Sequence, residues 1–276
     1  MNRSPVLTPA ACMPWPVQNP FRMRPGLTHL DNADTPRLFL RDDLAPAYRA
    51  HKAHALDTHR AEALVGRTDP TILEAMAQLH EAETGVAAAP DLDALTLTLQ
   101  EDFVVLRDGD TMTTECLSVC FPSNWRPREK HGLGFAAIHA PVADNQLLLA
   151  GANGIIDLAF RKRRMQRYVW LLTPSADLSQ HPHAQRTRWE ALANATPQEL
   201  LAQTYFRVER QTTLPLPHLK AGVFFIRVMV CPLADVLACA PGRAGELREA
   251  LASMSDAVVA YRGMEGVRGR LVVGLG

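Results

Sequence analysis

Two extended apolar runs, "YFRVERQTT" from Tyr205 and "AGVFFIRVMV" from Ala221, are separated only by residues 214–220. Both are rich in aromatic and β-branched residues, the composition of strands. A parallel return would need a crossover of about a dozen residues, so this short connection lets the two pair antiparallel. Arg227 stands in the middle of the second run, and an unpaired guanidinium buried there would cost several kcal/mol. Glu209 in the facing run is the expected partner. The pair is either an internal ion bridge or part of a basic site for an anionic ligand such as a carboxylate or propionate, a purpose that Arg207 and Arg210 could also serve.

Upstream, "DDLAPAYRAHKAHALDTHRAEAL" predicts a helix with acidic residues at its start. "DPTILEAMAQLHEAETG" predicts a second, with Asp69 as its cap before Pro70 and Gly85 as its end. "LDALTLTLQED" reads as a third, running into a strand "FVVLRDGD" whose Asp-Gly predicts a hairpin to "TMTTECLSVCF". "NQLLLAGANGIIDLAFRKRRMQ" reads as helical despite its glycines, and "RYVWLLTP" as a strand stopped by Pro174. Helical pieces "PLADVLAC" and "AGELREALASMSDAVVAYRG" follow the last strand. The expected fold class is α+β, an antiparallel sheet flanked by helices, in a single domain over 1–276. Residues 1–20 read as a proline-rich arm, 174–196 as a surface loop and 265–276 as a tail.

Composition excludes some functions. Basic and acidic residues balance at 29 each, so no overall field draws the chain to nucleic acid or to an anionic membrane. No run of eighteen apolar residues occurs and the prolines of the first twenty positions interrupt any signal segment, so the expectation is a soluble, cytoplasmic protein. The five cysteines, an odd number, read as reduced thiols. Cys116 and Cys120 fall on a strand, where positions four apart lie roughly 13 Å from each other, too far for one metal. No segment fits the strand, Gly-x-Gly-x-x-Gly, helix order of a dinucleotide site. His51, His54 and His59 on the first helix lack an acidic partner at ligand spacing, and His181 and His183 lie in the polar loop; all five read as surface residues.

The stretch "CFPSNWRPREKHGLGFAAIHAPV", Cys120 to Val142, carries Trp125, Lys130 and His139. Ser123 or Asn124 could cap a short helix that Gly132 ends. By local physics alone a histidine in "AAIHAPV" is more often a hydrogen-bonded core residue than a ligand. The small residues before it, Gly132, Gly134, Ala136 and Ala137, would leave room for a flat cofactor, and Pro141 fixes the backbone beyond it.

These segments, with "FRMRPGLTHLD", "QEDFVVL", "RVERQTTLPLP", "FFIRV" and "AYRG" in the same order, resemble the heme-dependent oxidative N-demethylases. The resemblance implies a PAS-like antiparallel β-sheet flanked by helices, holding heme with its iron on a histidine. His139, in the "IH-x-PV" position, is the implied metal ligand; His131, His218 and Cys231 are weaker alternatives. Trp125, Lys130, Arg167 and Arg210 are the implied cofactor-binding residues. Glu209 and Arg227 are the implied catalytic ones, the carboxylate holding a protonated amine and the guanidinium a propionate. The implied reaction is oxygen-dependent oxidation of an N-methyl carbon to a carbinolamine, which collapses to formaldehyde and a smaller amine. The implied partners are a small amine substrate, dioxygen and a separate NAD(P)H/flavin reductase; the assembly state is left open. Three departures from the pattern, Val169 in place of an asparagine, Thr213 to Pro215 in place of basic residues, and "IRVMV" in place of an Ile-Arg-Thr-Tyr form, imply a larger or less polar substrate than dimethylamine. A heme-binding sensor or redox module without turnover, or a relative that has lost the cofactor, are the alternatives from other classes.

Overall fold

The computed structural model describes residues 4–276. Among them, seven strands form one antiparallel sheet: β1 (Thr28–His29), β2 (Leu64–Gly66), β3 (Asp102–Arg107), β4 (Thr113–Ser118), β5 (Met165–Thr173), β6 (Tyr205–Leu216) and β7 (Ala221–Pro232). Their spatial order is β1-β5-β6-β7-β3-β4-β2. The β6–β7 hairpin expected from sequence forms along its whole length, turned by Pro217–Leu219 and Lys220, which sits in the left-handed region at φ 48°. The β3–β4 hairpin forms as well.

Three helices precede this core: α1 (Ala45–Ala63), α2 (Pro70–Thr84) and α3 (Leu92–Thr98). Asp69 caps α2 by accepting from the Thr71 amide at 2.9 Å, and Gly85 ends it at φ 73°, which a glycine adopts without a Cβ clash. Between β4 and β5 run α4 (Phe135–His139), α5 (Gln146–Ala150) and α6 (Ala152–Ile156), the last continuing into a π-helical turn, Asp157–Lys162. The glycines break this stretch into short pieces where one helix was expected. α7 (Pro197–Ala202) leads into β6, and α8 (Leu233–Ala238), α9 (Arg243–Ala252), α10 (Asp256–Tyr261) and α11 (Arg268–Gly274) follow β7.

The hairpin register decides which side chains can meet. Arg227 lies opposite Arg210, and Glu209 opposite Val228. Facing residues share a face and neighbours along a strand alternate, so Glu209 projects from the face opposite to Arg227. The expected Glu209–Arg227 pair therefore does not form. Arg227 instead bridges to Asp42 at 2.7 Å and Glu101 at 3.7 Å, with its guanidinium over the Tyr48 ring.

On the Arg227 face, α7 to α11 pack on Phe206, Val208, Trp170 and Met229, while α2, α3 and residues 30–39 pack on Phe103, Val105, Val223 and Phe225. On the Glu209 face, α1 and Phe121 cover Ile226, Val228 and Val230, and the π-helical turn covers Val104, Leu106 and Phe224. Both faces are thus buried; on the Glu209 side of β5, Met165 joins the cluster under the π-helical turn, while Val169 and Leu171 are half-buried.

Three segments differ from expectation. Residues 265–276 form no tail, because α11 packs on α7 and α9 and buries Leu271. Of the expected arm, residues 1–3 lie outside the described residues; Val6, Thr8 and Met13 are buried, and the Thr8 amide donates to the Val230 carbonyl. The 174–196 segment sends Leu178 and Gln180 inward, where Ser123 and Gln180 form a β-bridge. Among the described residues, no helix is long and apolar enough to cross a membrane.

Candidate functional site

Alternate residues of β6 form a continuous polar row on the Glu209 face. Arg207, fully buried, donates from Nε to Ser123 Oγ at 2.9 Å and from its terminal nitrogens to the carbonyls of Phe121 and Leu178. Ser123 Oγ passes its hydrogen to Glu209 Oε1. Glu209 Oε2 accepts from Gln211 Nε2 at 2.8 Å, and Gln211 Oε1 accepts from Arg167 Nε at 2.7 Å. The period of two makes this row possible, since residues 207, 209 and 211 fall on one face and the β5 partner of Gln211 is Arg167. One carboxylate here serves two guanidiniums. Burial pulls the Arg207 guanidinium down to about 10, opposed by Glu209, and lowers Arg167 in the same way.

The Arg167 end of this row acts on His139, at the end of α4. The His139 ring packs on the Phe135 ring with centroids 4.1 Å apart, and its Nδ1 lies 2.8 Å from the Phe135 carbonyl. A carbonyl can only accept, so Nδ1 carries the hydrogen and Nε2 keeps its lone pair. Nothing among the described residues bonds to Nε2. Burial lowers the His139 basicity, with the Arg167 and Lys130 charges acting in the same direction, so the ring is held neutral. Lys130 reaches the same helix, donating to the Ile138 carbonyl at 3.2 Å. Trp125 packs between the two apolar clusters of this face.

α4, α5 and α6 make their main contacts with one another and with the π-helical turn, and only that turn packs closely on β6. Half-buried Phe135, Ile138, Leu149 and Ile155 on the helical side, and Val169 and Leu171 on β5, join none of the four apolar clusters. The Arg167 charge at the end of the polar row acts on the neutral His139 imidazole, which ties the α4 segment to the Glu209 side of the sheet.

His139, Lys130, Arg167 and Glu209 are thus gathered on one face, with Trp125 beside them. Arg227 and Arg210 are not. Arg210 donates to the carbonyls of Arg37 and Leu38, and Arg227 serves Asp42 and the Leu40 carbonyl, both on the other face. Among the alternative ligands, His131 bonds to the Glu115 carbonyl in an open hollow beside Gly66 and Arg107, and His218 is exposed in the β6–β7 turn. Cys231 is buried on the Arg227 face, its thiol pushed up to about 11 by burial. Cys116 and Cys120 are buried free thiols pushed up to about 12 by burial, which keeps them protonated and inert. Neither Ser123 nor Asn124 caps the Pro127–Lys130 turn: the serine serves Glu209, and the asparagine accepts from Arg186. Among the five histidines expected on the surface, His54, His59 and His183 are exposed, while His51 is half-buried with Nε2 3.1 Å from the Ser4 carbonyl and His181 is half-buried 3.4 Å from Glu62. Sequence reasoning missed the roles of Ser123 and Gln211 in the row; the alternation 207, 209, 211 was the signal for Gln211.

A family model described as haem-dependent oxidative N-demethylase, alpha subunit-like, matches residues 70–272.

Proposed function

Because the chain belongs to the haem-dependent oxidative N-demethylase, alpha subunit-like family, we propose that it binds heme in a slot between α4 and β5–β6 and oxidises an N-methylated amine. The observation that carries this reading is the free Nε2 of a neutral His139, whose Nδ1–H is already committed to the Phe135 carbonyl. A hydrogen bond donated from the remote ring nitrogen orients an imidazole toward a metal and raises its donor strength. Among the described residues, no three His, Cys, Asp or Glu side chains gather to hold a bare metal ion. A single imidazole suits an iron whose remaining ligands a macrocycle would supply.

The remaining residues fit the same group. The unclustered apolar side chains of α4–α6 and β5 would take up the ring faces, Trp125 would wall the slot, and Arg167 and Lys130 would meet the propionates. Heme, when bound, supplies the activation of dioxygen, and the two electrons needed come from a separate flavin-dependent reductase using NAD(P)H. The family's description as an alpha subunit supports such further components. Glu209 would hold the protonated amine through the lone pairs that Ser123 and Gln211 leave free. Arg227 and Arg210, on the other face, brace residues 37–42 instead of touching the slot. The five long strands, a β3–β4 hairpin beside a β5–β6–β7 meander with the intervening helices over one face, support the PAS-like reading.

The test is reconstitution of the purified protein with heme. A Soret band that shifts or is lost in His139→Ala, and formaldehyde release from methylated amines with a reductase and dioxygen, are the expected results. A Soret band identical in His139→Ala would overturn the ligand assignment, and amine-independent oxygen consumption without formaldehyde would favour a redox or sensor module.

A further inference from the structure

Arg262, in the segment "AYRG", stands apart from the other guanidiniums packed on the sheet. Arg167, Arg207, Arg210 and Arg227 each donate at least two hydrogen bonds to side-chain or carbonyl oxygens. The Arg262 side chain is half-buried, yet among the described residues it makes no hydrogen bond and no ion pair. It is held in the corner between two rings. Its guanidinium carbon lies 4.7 Å from the Phe21 centroid and 5.1 Å from that of Trp170, and the rings stand nearly perpendicular, 5.9 Å apart. Nη1 is closed off from solvent with no acceptor; Nε and Nη2 are not closed off, so theirs is the open edge of the fork. Such a guanidinium is costly, because burial disfavours its charge and no acceptor compensates. Burial pulls it down to about 10, opposed only by Tyr261, whereas on Arg207 the same effect is opposed by Glu209.

Its place is the open side of β5. β1 pairs only with Met165 and Gln166, so from Arg167 onward β5 has no strand on its outer side. Arg262 covers Trp170 there, one residue along the chain from Val169, the partner of Glu209. Burial raises the Tyr261 pKa, and Glu209 lies close enough to add to that rise. The "AYRG" turn therefore stands beside the Glu209 row, at the boundary between the two faces of the sheet.

We propose that Arg262 binds a carboxylate through its Nε and Nη2 hydrogens, the side-on fork that matches both oxygens of that group. Two sources offer this chemistry: a heme propionate, which rests on the reading of the site given above, and a small free carboxylate, which does not. Arg167 and Lys130 already donate to protein oxygens, so Arg262 is the cation on this side with the most hydrogen-bonding capacity left.

The test compares heme with its dimethyl ester, which lacks both propionate charges, in equilibrium binding to the parent and to Arg262→Met, read from the Soret band. If a propionate meets Arg262, esterification weakens binding to the parent by roughly ten- to hundredfold more than binding to Arg262→Met, as expected for hydrogen bonds to a charged group. Arg262→Lys, which keeps the charge but not the fork and serves if the methionine variant does not fold, should lie between the two. In a second arm, sodium acetate replaces sodium chloride at constant ionic strength in the apo protein, and Tm is followed. A free-carboxylate site raises the Tm of the parent in acetate over chloride, and leaves that of Arg262→Met unmoved. An ester penalty equal in the parent and both variants, together with an acetate effect equal in all three, overturns the proposal. No Soret band with either porphyrin would overturn the heme reading alone, and the acetate arm would then decide on Arg262.

Discussion

Arg207 has no carboxylate in direct contact, yet it is fully buried, and its link to a negative charge runs through one hydroxyl. Ser123 accepts from Arg207 and donates to Glu209. Removing that oxygen in Ser123→Ala leaves a guanidinium hydrogen and a carboxylate oxygen short of a partner, at a cost of about 1–3 kcal/mol. The expected outcome is a lower urea midpoint in the apo protein, largely restored by Ser123→Thr; an unchanged midpoint would mean that the row is not coupled through this residue. His80 offers a pH test at the same scale. Its ring is buried edge-on against Phe39 and bonded to the Val86 carbonyl, and burial lowers its pKa below the ordinary value. A histidine held neutral in the fold contributes stability that is complete above the unfolded pKa of about 6.5 and is lost as pH falls through the folded value. Between pH 7 and 5 the stability of His80→Phe should therefore fall less steeply than that of the parent, as read from denaturation midpoints at each pH. Sequence made Arg227 legible as a buried charge needing a partner, but not the partner. A shift of one residue in register moves Glu209 to the other face, and the β6–β7 turn that sets register carries no Asn-Gly or Asp-Gly to specify its geometry. The buried Lys52–Asp102 pair at 3.1 Å escaped for a related reason. Only the spacing Tyr48, Lys52, Leu56, four residues apart along α1, hinted that the lysine shares the buried face of its helix.

Among the elements, the caps of α2 and the two hairpins were readable because their signals are local: a side chain two residues from the amide it bonds, or a turn joining adjacent strands. The breaking of the 146–162 stretch was not, because it depends on what the helices pack against. The π-helical turn is the part of that stretch which meets the sheet, and it does so over Gly222. A Cβ at Gly222 would stand 3.0 Å from Phe160 Cβ and 3.1 Å from its carbonyl oxygen, whereas a Cβ at Gly154 would meet nothing within 4 Å. Gly222→Ala must push the turn away from β7, an overpacking that costs typically 1–3 kcal/mol. Since the same turn anchors α4–α6, heme should also dissociate faster from Gly222→Ala, while Gly154→Ala, at an open position inside α6, should neither destabilise the fold nor speed heme loss. Heme transfer to apomyoglobin, followed by its absorbance, provides the comparison.

At the scale of the molecule, the sheet separates two kinds of interior. The Arg227 face is filled by helices and closed by charges that find partners within it, as Arg227 does with Asp42 and Glu101. The Glu209 face is covered at α1 and at the π-helical turn, and beside β5 it carries the polar row with half-buried Val169 and Leu171. Heme bound there would stabilise the fold, because a ligand that binds only the native state stabilises it by mass action. At free heme a hundredfold above its dissociation constant the gain is about 2.7 kcal/mol. For a chain of this size that corresponds to a rise in Tm of roughly 5–10 °C, at about 2–4 °C per kcal/mol. The rise should be present in the parent and much reduced in His139→Ala, whereas Arg227→Met should lower the Tm of both forms alike by removing the partner of Asp42 and Glu101. An increment from heme that survives in His139→Ala but disappears in Arg227→Met would move the binding site to the other side of the sheet.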